Sequence, residues 1–403
     1  MRVLSLILLA LVIAPSAQAK QGRTFYTDEV MAQVRRKLEQ HDWAKRQAAG
    51  TREACDWVLR MSDQELWDFV PPPEQVRALN VHFGADCPVH GTEIHRAGGH
   101  YPWTMSRDRP FKLKCPVGGE EYPSNDFQPW NLEGVKGKPE TGAGFVDKGI
   151  GWQDDKGRRY WFVGTYIFWQ RWQRDILPAV RSLANAYLLT GDPAYARKCA
   201  VLLARIANDY ERFDYPTQAY HNGRWPAGIN GRILDYIWET GTINSFARAY
   251  DAVFPALAAD AELRAFLKGK GIADVSAHVE RKMFHVMARD IMRGFIRGNA
   301  GMHQEALAML AIVLPNDDTE QGPTTAQMRD WLMLGGGEIE DLLWNGFYRD
   351  GHGGESSPSY SSGWCTHFYK IADLLPRLGV DIWSNPKLKK MADVGLDLAL
   401  AGA

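Results

Sequence analysis

The chain has almost no net charge and lacks several familiar catalytic motifs. Its 47 basic and 48 acidic residues leave a formal charge of −1 at pH 7, so no basic field is available to attract a nucleic-acid backbone. A glycine-rich phosphate loop, a Gly-x-Ser-x-Gly elbow and a His-Glu-x-x-His helix are all missing. These absences give no support to nucleic-acid binding, nucleotide-dependent chemistry, serine hydrolysis or metalloproteolysis.

Cysteine is also scarce, with 5 in 403 residues. So few cysteines, odd in number, do not form a disulfide scaffold. Cys199 lies in a helical apolar pattern, which predicts a buried small hydrophobic residue. Cys87 and Cys115 differ, because each begins a turn of the form Cys-Pro-x-x-Gly.

Paired turns of this form resemble zinc knuckles, whose tight geometry lets nearby ligands bind one metal ion. His90 occupies the second ligand position of the first turn, whereas Gly118 occupies it in the second. The predicted ligands of a structural zinc are therefore Cys87, His90 and Cys115, with a fourth from His95 or His100. A Cys87–Cys115 disulfide in an oxidising compartment, or two free thiols, are the open alternatives.

One long apolar run is present, at the N-terminus. Arg2 precedes the apolar stretch from Val3 to Ala14, and Ala17–Gln18–Ala19 is a small-x-small cleavage site. The run is too short to span a bilayer. It predicts a signal peptide over residues 1–19 that is cleaved after Ala19, and hence a periplasmic or secreted protein with no membrane attachment after cleavage.

The rest of the chain divides into three segments by its periodicity. Apolar residues at three- and four-residue spacing predict a helical segment over 20–75, which ends at the prolines 71–73. Residues 76–150 are rich in Gly, Pro and aromatics, which predicts an insert with little helix. Residues 151–403 are predicted to be helices joined by short turns. The expected helices are 172–189, 194–210, 229–250, 263–294, 302–314, 325–347, 364–378 and 386 onward.

Two polar segments interrupt this helical region. Arg297–Glu305 contains an amide and an imidazole and opens a strongly apolar helix. Asp350–Tyr360 is a glycine-rich loop that ends on a phenol. Groups able to move protons on two helix-flanking segments predict a polar cleft, which we interpret as an active site. The 15 tryptophans of an exported protein also fit carbohydrate stacking.

The chain resembles the heparinase II/III-like polysaccharide lyases, which have alginate lyase relatives. The resemblance rests on residues 160–193, 299–310 and 350–360, and the last of these is the most specific. It implies a mainly α fold, an incomplete α/α toroid of helical hairpins around a central cleft. It also implies a C-terminal β-sandwich, which is missing from this sequence, so we expect the toroid domain at 151–403 to be truncated.

Such lyases cleave an acidic, uronic-acid-containing polysaccharide by β-elimination and need no cofactor for catalysis. A donor neutralises the carboxylate, a base removes the C5 proton, and an acid protonates the O4 leaving group. Asn299 matches the family's neutralising asparagine and Tyr360 its catalytic tyrosine. Ala300 replaces the histidine that often follows the asparagine, so the imidazole is expected from His303, by i,i+4 spacing, or from His221.

The residues around these groups are predicted to bind sugar. Trp225 would stack on a ring, and an arginine would pair with a uronate or a sulfate. The expected substrate-binding residues are Asn222, Arg224, Trp225, Arg232, His352 and Glu355.

Other functions remain open from the sequence. A glycoside hydrolase on the same toroid would use paired carboxylates drawn from Asp350, Glu355 and Glu239. A non-catalytic glycan-binding protein would form no product.

Overall fold

The computed structural model describes residues 20–73, 75, 77, 86–99, 101–122, 152–153, 159–160, 162–218, 231–355 and 357–401. This part of the chain is mainly helical, which confirms the predicted mainly α class. Within it, no helix is both long enough and apolar enough to span a bilayer. The predicted signal peptide lies outside the described residues, as do five predicted site residues: His100, His221, Asn222, Arg224 and Trp225.

Short helices form the N-terminal segment. They are α1 (Asp28–Gln40), α2 (Asp42–Glu53), α3 (Asp56–Leu59) and α4 (Asp63–Phe69). Side chains cap two of them: Thr27 accepts from the amide of Val30 at the start of α1, and Ser62 forms a capping box with Glu65 at the start of α4. Helices therefore make up most of the described part of this segment.

The described part of the 76–150 insert has little regular structure, as predicted. It holds α5 (Ile94–Gly98) and the antiparallel strands β1 (Leu113–Lys114) and β2 (Glu121–Tyr122), which pair Leu113 with Tyr122. A second antiparallel pair, β3 (Trp152–Gln153) and β4 (Arg159–Tyr160), precedes the helical region.

A long continuous helix then opens the helical region. It begins as α6 (Phe162–Thr165), widens into a π-helix at Tyr166–Ile176 and continues as α7 (Leu177–Thr190). Gly191, at φ 73°, ends α7, and Asp192 caps α8 (Pro193–Asp209) through the amide of Ala194. This hairpin confirms the predicted one, and Pro193 takes the first helical position as expected.

The remaining helices follow in chain order. They are α9 (Tyr215–Gln218), α10 (Glu239–Leu257), α11 (Ala261–Gly269), α12 (Val275–Val279), a π-turn (Glu280–Phe284), α13 (His285–Met292), α14 (Met302–Val313), α15 (Thr325–Met333), α16 (Ile339–Asp341), a second π-turn (Leu342–Gly346), α17 (Pro358–Leu374) and α18 (Pro386–Ala401). Two 3₁₀ turns, Tyr210–Arg212 and Leu375–Leu378, follow α8 and α17.

Several predicted boundaries were wrong because local residues override the apolar period. The predicted helix 325–347 ends before the glycines 335–337. Glycine has no Cβ atom and loses more backbone freedom on folding than other residues, so it is unfavourable inside a helix. The predicted helix 263–294 is divided after Gly269, and Asp274 caps a new helix through the amide of Ala277. α17 begins at Pro358 rather than at Trp364, so Tyr360 lies inside a helix and not at the end of a loop.

Four helices, α7, α10, α14 and α17, pack side by side in that order. Contacts between α10 and α14 run in the same direction along both helices. Ahead of the two helices, the amide of Arg297 donates to the carbonyl of Tyr236, and further along Arg248 lies 3.8 Å from Glu305. Helices α10 and α14 are therefore parallel to each other, and their N-terminal ends lie at the same end of the row.

The N-terminal segment is fastened to this row through one buried carboxylate. Asp251 of α10 accepts hydrogen bonds from the Lys20 ammonium at 2.7 Å and from the amides of Thr24, Phe25 and Tyr26 at 2.7–3.0 Å. Both members of the Lys20–Asp251 ion pair are almost fully buried. Lys20 would be the first residue after the predicted cleavage site, so cleavage there leaves this buried ion pair intact.

Candidate functional site

A single acidic residue interrupts the most deeply buried helix of the row. α14 is buried on all sides and mostly apolar, yet it carries Glu305 with only 3% of its surface exposed. A buried carboxylate needs partners, because an isolated charge in an apolar interior is strongly disfavoured. The partners of Glu305 come from the helices on either side of α14.

The nearest partner is a histidine of α17. His367 Nδ1 lies 2.6 Å from Glu305 Oε2, and the ammonium of Lys370, one turn later, lies 3.5 Å from the same oxygen. Burial would raise the pKa of Glu305, but the hydrogen bond from His367 and the nearby cations lower it below its ordinary value. The carboxylate is therefore ionised at neutral pH. It favours a proton on Nδ1 of His367, which leaves Nε2 for a second partner.

These residues lie in a pocket of ≈ 390 Å³. Helices α7, α10, α14 and α17 each contribute to its walls, and Tyr26 of the N-terminal segment contributes as well. Three cations, Arg181, Arg248 and Lys370, line the pocket. Of the described lining residues, Glu305 alone is a carboxylate. The pocket therefore carries a net positive charge, which favours an anionic ligand.

Two polar atoms at the pocket wall have no partner among the described residues. They are Nε of Arg248 and the side-chain oxygen of Asn244, both shielded from solvent. Buried polar groups are normally hydrogen-bonded, so atoms of this kind at a cavity wall indicate room for a polar ligand or bound water. Asn244 and Arg248 lie one helical turn apart on the same face of α10.

Asn299 lies just before α14, three residues ahead of the first helical residue Met302. Its side chain is half-buried, and its carbonyl accepts from the amide of Met302. Gly301, at φ 91°, is the residue that caps the helix, so Asn299 is not its N-cap. A Cβ atom on Gly301 would lie 2.4 Å from Cβ of His367. The backbone two residues after Asn299 therefore contacts α17 beside the Glu305–His367 pair.

His303 is placed differently from the expectation. The predicted i,i+4 relation to Asn299 does not apply, because α14 begins only at Met302. The imidazole is buried and makes a T-shaped contact with Trp331 of α15, and its Nδ1 has no hydrogen-bond partner in the described structure. Burial, and then the charge of Arg297, lower its pKa to about 4. His303 is thus a neutral core histidine, and it does not line the pocket.

Tyr360 lies in the first turn of α17 with 58% of its surface exposed. Residues seven apart on a helix share a face, about 10.5 Å apart along the axis. Tyr360 and His367 have this spacing, so the phenol lies toward the N-terminal end of the helix face that carries the pocket histidine, although Tyr360 does not itself line the pocket.

The loop before Tyr360 is fixed mainly by backbone contacts. Ser361 accepts from the amide of Gly353 at 2.6 Å, and the His352 amide donates to Asp350 at 2.9 Å. The side chains of His352 and Glu355 are half-buried. Neither lines the pocket around Glu305, and their role in sugar binding stays a prediction.

Arg232, one of the expected substrate-binding residues, forms a salt bridge with a residue of α13. Its Nε lies 2.7 Å from Asp290, and another guanidinium nitrogen donates to the carbonyl of Glu211.

Glu239, a carboxylate considered for hydrolysis, is fully buried and accepts from the Tyr210 hydroxyl and from the amides of Ile233 and Leu234. Its pKa is raised to about 7 by burial.

The predicted zinc ligands do come together. His90 Nδ1 lies 3.6 Å from each of Cys87 Sγ and Cys115 Sγ, and both cysteines are free thiols in the structure, so the alternative disulfide is not formed. His95, considered as a fourth ligand, instead bonds Asp86 and the carbonyl of Gly99.

The sequence reasoning missed the residues that define the pocket. It quoted Glu305 without assigning it a role, and it overlooked His367, Arg248, Lys370 and Arg181. One signal was available, since a lone glutamate in a helix as apolar as α14 requires a buried partner. The identity of that partner depends on which helix packs against α14, which spacing along the chain does not show.

A comparison with known proteins found no family model that matches the chain and no curated protein that matches it.

Proposed function

We propose that this protein is an exported polysaccharide lyase that cleaves a uronic-acid-containing glycan by β-elimination. The observation that carries the proposal is the cationic pocket around the buried Glu305–His367 pair. We further propose that α7, α10, α14 and α17 are inner helices of an incomplete α/α toroid. The parallel packing of α10 and α14 supports this, because alternating inner and outer helices place every inner helix in the same direction.

The pocket has the charge that a uronate requires. Arg181, Arg248 and Lys370 can pair with a carboxylate or a sulfate, and the guanidinium groups can do so through two hydrogen bonds. Neutralising the uronate carboxylate makes the C5 proton more acidic, and donors already in place for the developing charge contribute strongly to catalysis. We assign this neutralisation to Asn299 together with Arg248.

We assign the two proton transfers of the reaction to an imidazole and a phenol. We propose His367 as the imidazole in place of His303, because His367 lies in the pocket and its Nδ1 is held by Glu305. Its Nε2 is then free to take the C5 proton, with Glu305 stabilising the imidazolium that forms. Tyr360 on the same helix face would donate its O–H proton to the O4 leaving group. A glycan lying along α17 could contact both residues.

The charge of the pocket argues against the hydrolase alternative. Paired-carboxylate hydrolysis needs two acidic groups that flank the scissile bond. Glu305 is the one carboxylate among the described lining residues, and it is already paired with His367. Glu239, another candidate, is fully buried among backbone amides and Tyr210.

The test follows the ultraviolet absorbance of the full-length protein incubated with heparan, chondroitin, hyaluronan, alginate and pectate. Rising absorbance from an unsaturated uronate, on at least one of these, is expected for the wild type. His367→Gln and Tyr360→Phe should each lower the rate about 10²–10⁴-fold, the usual contribution of acid–base catalysis. Tyr348→Phe is the matched control, since Tyr348 is similarly exposed, at 60%, but lies outside α17, and its rate should stay within about twofold.

Each contrary result has a distinct meaning. Reducing ends without the new absorbance would show hydrolysis and reject the lyase. Binding of a glycan that Tyr360→Phe leaves unchanged, with no product of either kind, would favour a glycan-binding protein. Activity that survives in His367→Gln but is lost in Tyr360→Phe would keep the lyase and reject His367 as its base.

A further inference from the structure

Four side chains of the insert converge on one point. The ligand atoms of Cys87, His90, Cys115 and Glu120 all lie within 4.8 Å of one another. His90 Nδ1 is 3.6 Å from both sulfur atoms and 3.5 Å from the Glu120 carboxylate. This cluster lies in the insert and shares no residue with the pocket around Glu305.

The distances from His90 Nδ1 to the other three ligand atoms match those around one tetrahedral zinc ion. Zn–S bonds of about 2.3 Å and Zn–N bonds of about 2.0–2.1 Å place sulfur and nitrogen about 3.6 Å apart at the tetrahedral angle. A zinc-bound oxygen would lie about 3.4 Å from the same nitrogen. The three His90 distances agree with these values.

The backbone around the two cysteines repeats the same turn. The amide of Gly91 donates to the carbonyl of Cys87 at 2.8 Å, and the amide of Gly119 donates to that of Cys115 at 3.0 Å. In each turn, the amides two and three residues after the cysteine hydrogen-bond its sulfur. The two turns therefore present their sulfur atoms in the same local geometry, as paired metal-binding turns do.

Glu120 fills the position that the second turn leaves without a ligand. Its Oε2 is shielded from solvent and has no hydrogen-bond partner among the described residues. A Cβ atom on Gly118 would lie 2.2 Å from Cε1 of His90 and 2.3 Å from Oε1 of Glu120. A glycine in place of a second ligand therefore leaves the space in which His90 and Glu120 meet.

We propose that Cys87, His90, Cys115 and Glu120 bind one structural zinc ion. Glu120 is the fourth ligand, in place of the histidines that the sequence offered. The ion holds together both turns and β2, whose Tyr122 approaches Cys87 and stacks on Phe162 at 4.9 Å. Trp103 contacts Phe162 as well. Zinc thereby fixes the aromatic face by which the insert packs against the start of the long helix.

The test uses the full-length protein, freshly purified without chelator. Elemental analysis is expected to give about one zinc per chain. After chelation, Co²⁺ should restore the visible bands of tetrahedral cobalt and the near-ultraviolet charge-transfer band of cobalt thiolate. Cys115→Ser should weaken the charge-transfer band, and Glu120→Gln should weaken Co²⁺ binding by at least about tenfold. Removing zinc should lower the thermal midpoint.

His95→Gln is the matched control for Glu120→Gln, because His95 lies in the same insert and bonds Asp86 instead of the cluster. It should keep full zinc content and unchanged Co²⁺ affinity. Zinc below about 0.1 per chain with no cobalt spectrum, or a Cys87–Cys115 disulfide in peptide mapping, would overturn the proposal. Loss of affinity in His95→Gln but not in Glu120→Gln would reject Glu120 as the fourth ligand. The wild-type metal content and cobalt spectrum decide the matter even if a cysteine variant fails to fold.

Discussion

Replacing Asp251 by asparagine should destabilise the protein strongly while changing little of its shape. The carboxylate is fully buried and accepts from the Lys20 ammonium and the amides of Thr24, Phe25 and Tyr26. Asparagine keeps the volume and one acceptor oxygen but removes the charge. Breaking one side of a buried ion pair typically costs about 3–5 kcal/mol, because the partner charge stays desolvated.

The loss of stability caused by Asp251→Asn cannot be larger than the stability that docking of the N-terminal segment provides. If residues 20–27 detach, Lys20 returns to water, and the loss cannot exceed the free energy with which that segment docks. Equilibrium unfolding in urea measures the total loss, and hydrogen exchange at residues 24–26 shows whether detachment occurs. We expect a loss of about 3 kcal/mol or more, or complete loss of protection at those amides.

The double variant Lys20→Met, Asp251→Asn separates charge from packing. It leaves no unpaired charge, so it should recover at least half of the stability that Asp251→Asn loses. A single variant within about 0.5 kcal/mol of the wild type, with its amides still protected, would refute the reasoning. Burial opposes ionisation of Asp251, but Lys20 and the amides lower its pKa overall. Its contribution is therefore present above the unfolded pKa of about 3.9 and is lost as pH falls through the lower folded value.

Two further predictions concern α14 and α17. Burial lowers the pKa of His303 to about 4, so its contribution to stability is present above the unfolded value of about 6.5 and is lost as pH falls toward 4. Between pH 7 and 5 the wild type should therefore lose about 1–2 kcal/mol more than His303→Gln in urea unfolding, and equal losses would contradict this. Gly301→Ala should cost about 2 kcal/mol or more, since Gly301 has φ 91° and its new Cβ would lie 2.4 Å from Cβ of His367. Gly363→Ala, in the interior of α17 with open space around it, is the control and should raise the thermal midpoint slightly; a similar loss in both variants would contradict the steric argument.

Local signals in the sequence predicted the helices well. The hairpin from α7 to α8 followed from its turn residues, because Gly191 ends one helix and Asp192 with Pro193 begins the next. The start of α14 at Met302 was also predicted, and it ends within one residue of the expected position. Predictions failed where a glycine run or an early proline outweighed the apolar period, as at residues 335–337 and at Pro358.

Three of the four residues in the metal cluster could be predicted from the local sequence, and the fourth required the tertiary structure. Each Cys-Pro-x-x-Gly turn is a local structure, so Cys87, His90 and Cys115 could be proposed from their spacing alone. Glu120 could not, because it follows the second turn and meets His90 only through the space above Gly118. The choice between thiols and a disulfide also required the relative position of the two turns.

By itself, then, the sequence determined which segments become helices and which polar residues flank them, because capping, turn formation and the helical period act over a few neighbouring residues. Only the tertiary structure decided that Glu305 pairs with His367 and Arg248, and that His303, two residues from Glu305, faces Trp331 instead. A helix presents residues two apart to different sides. Which side becomes a charged pocket depends on the neighbouring helices that pack there, and those neighbours are distant in the chain.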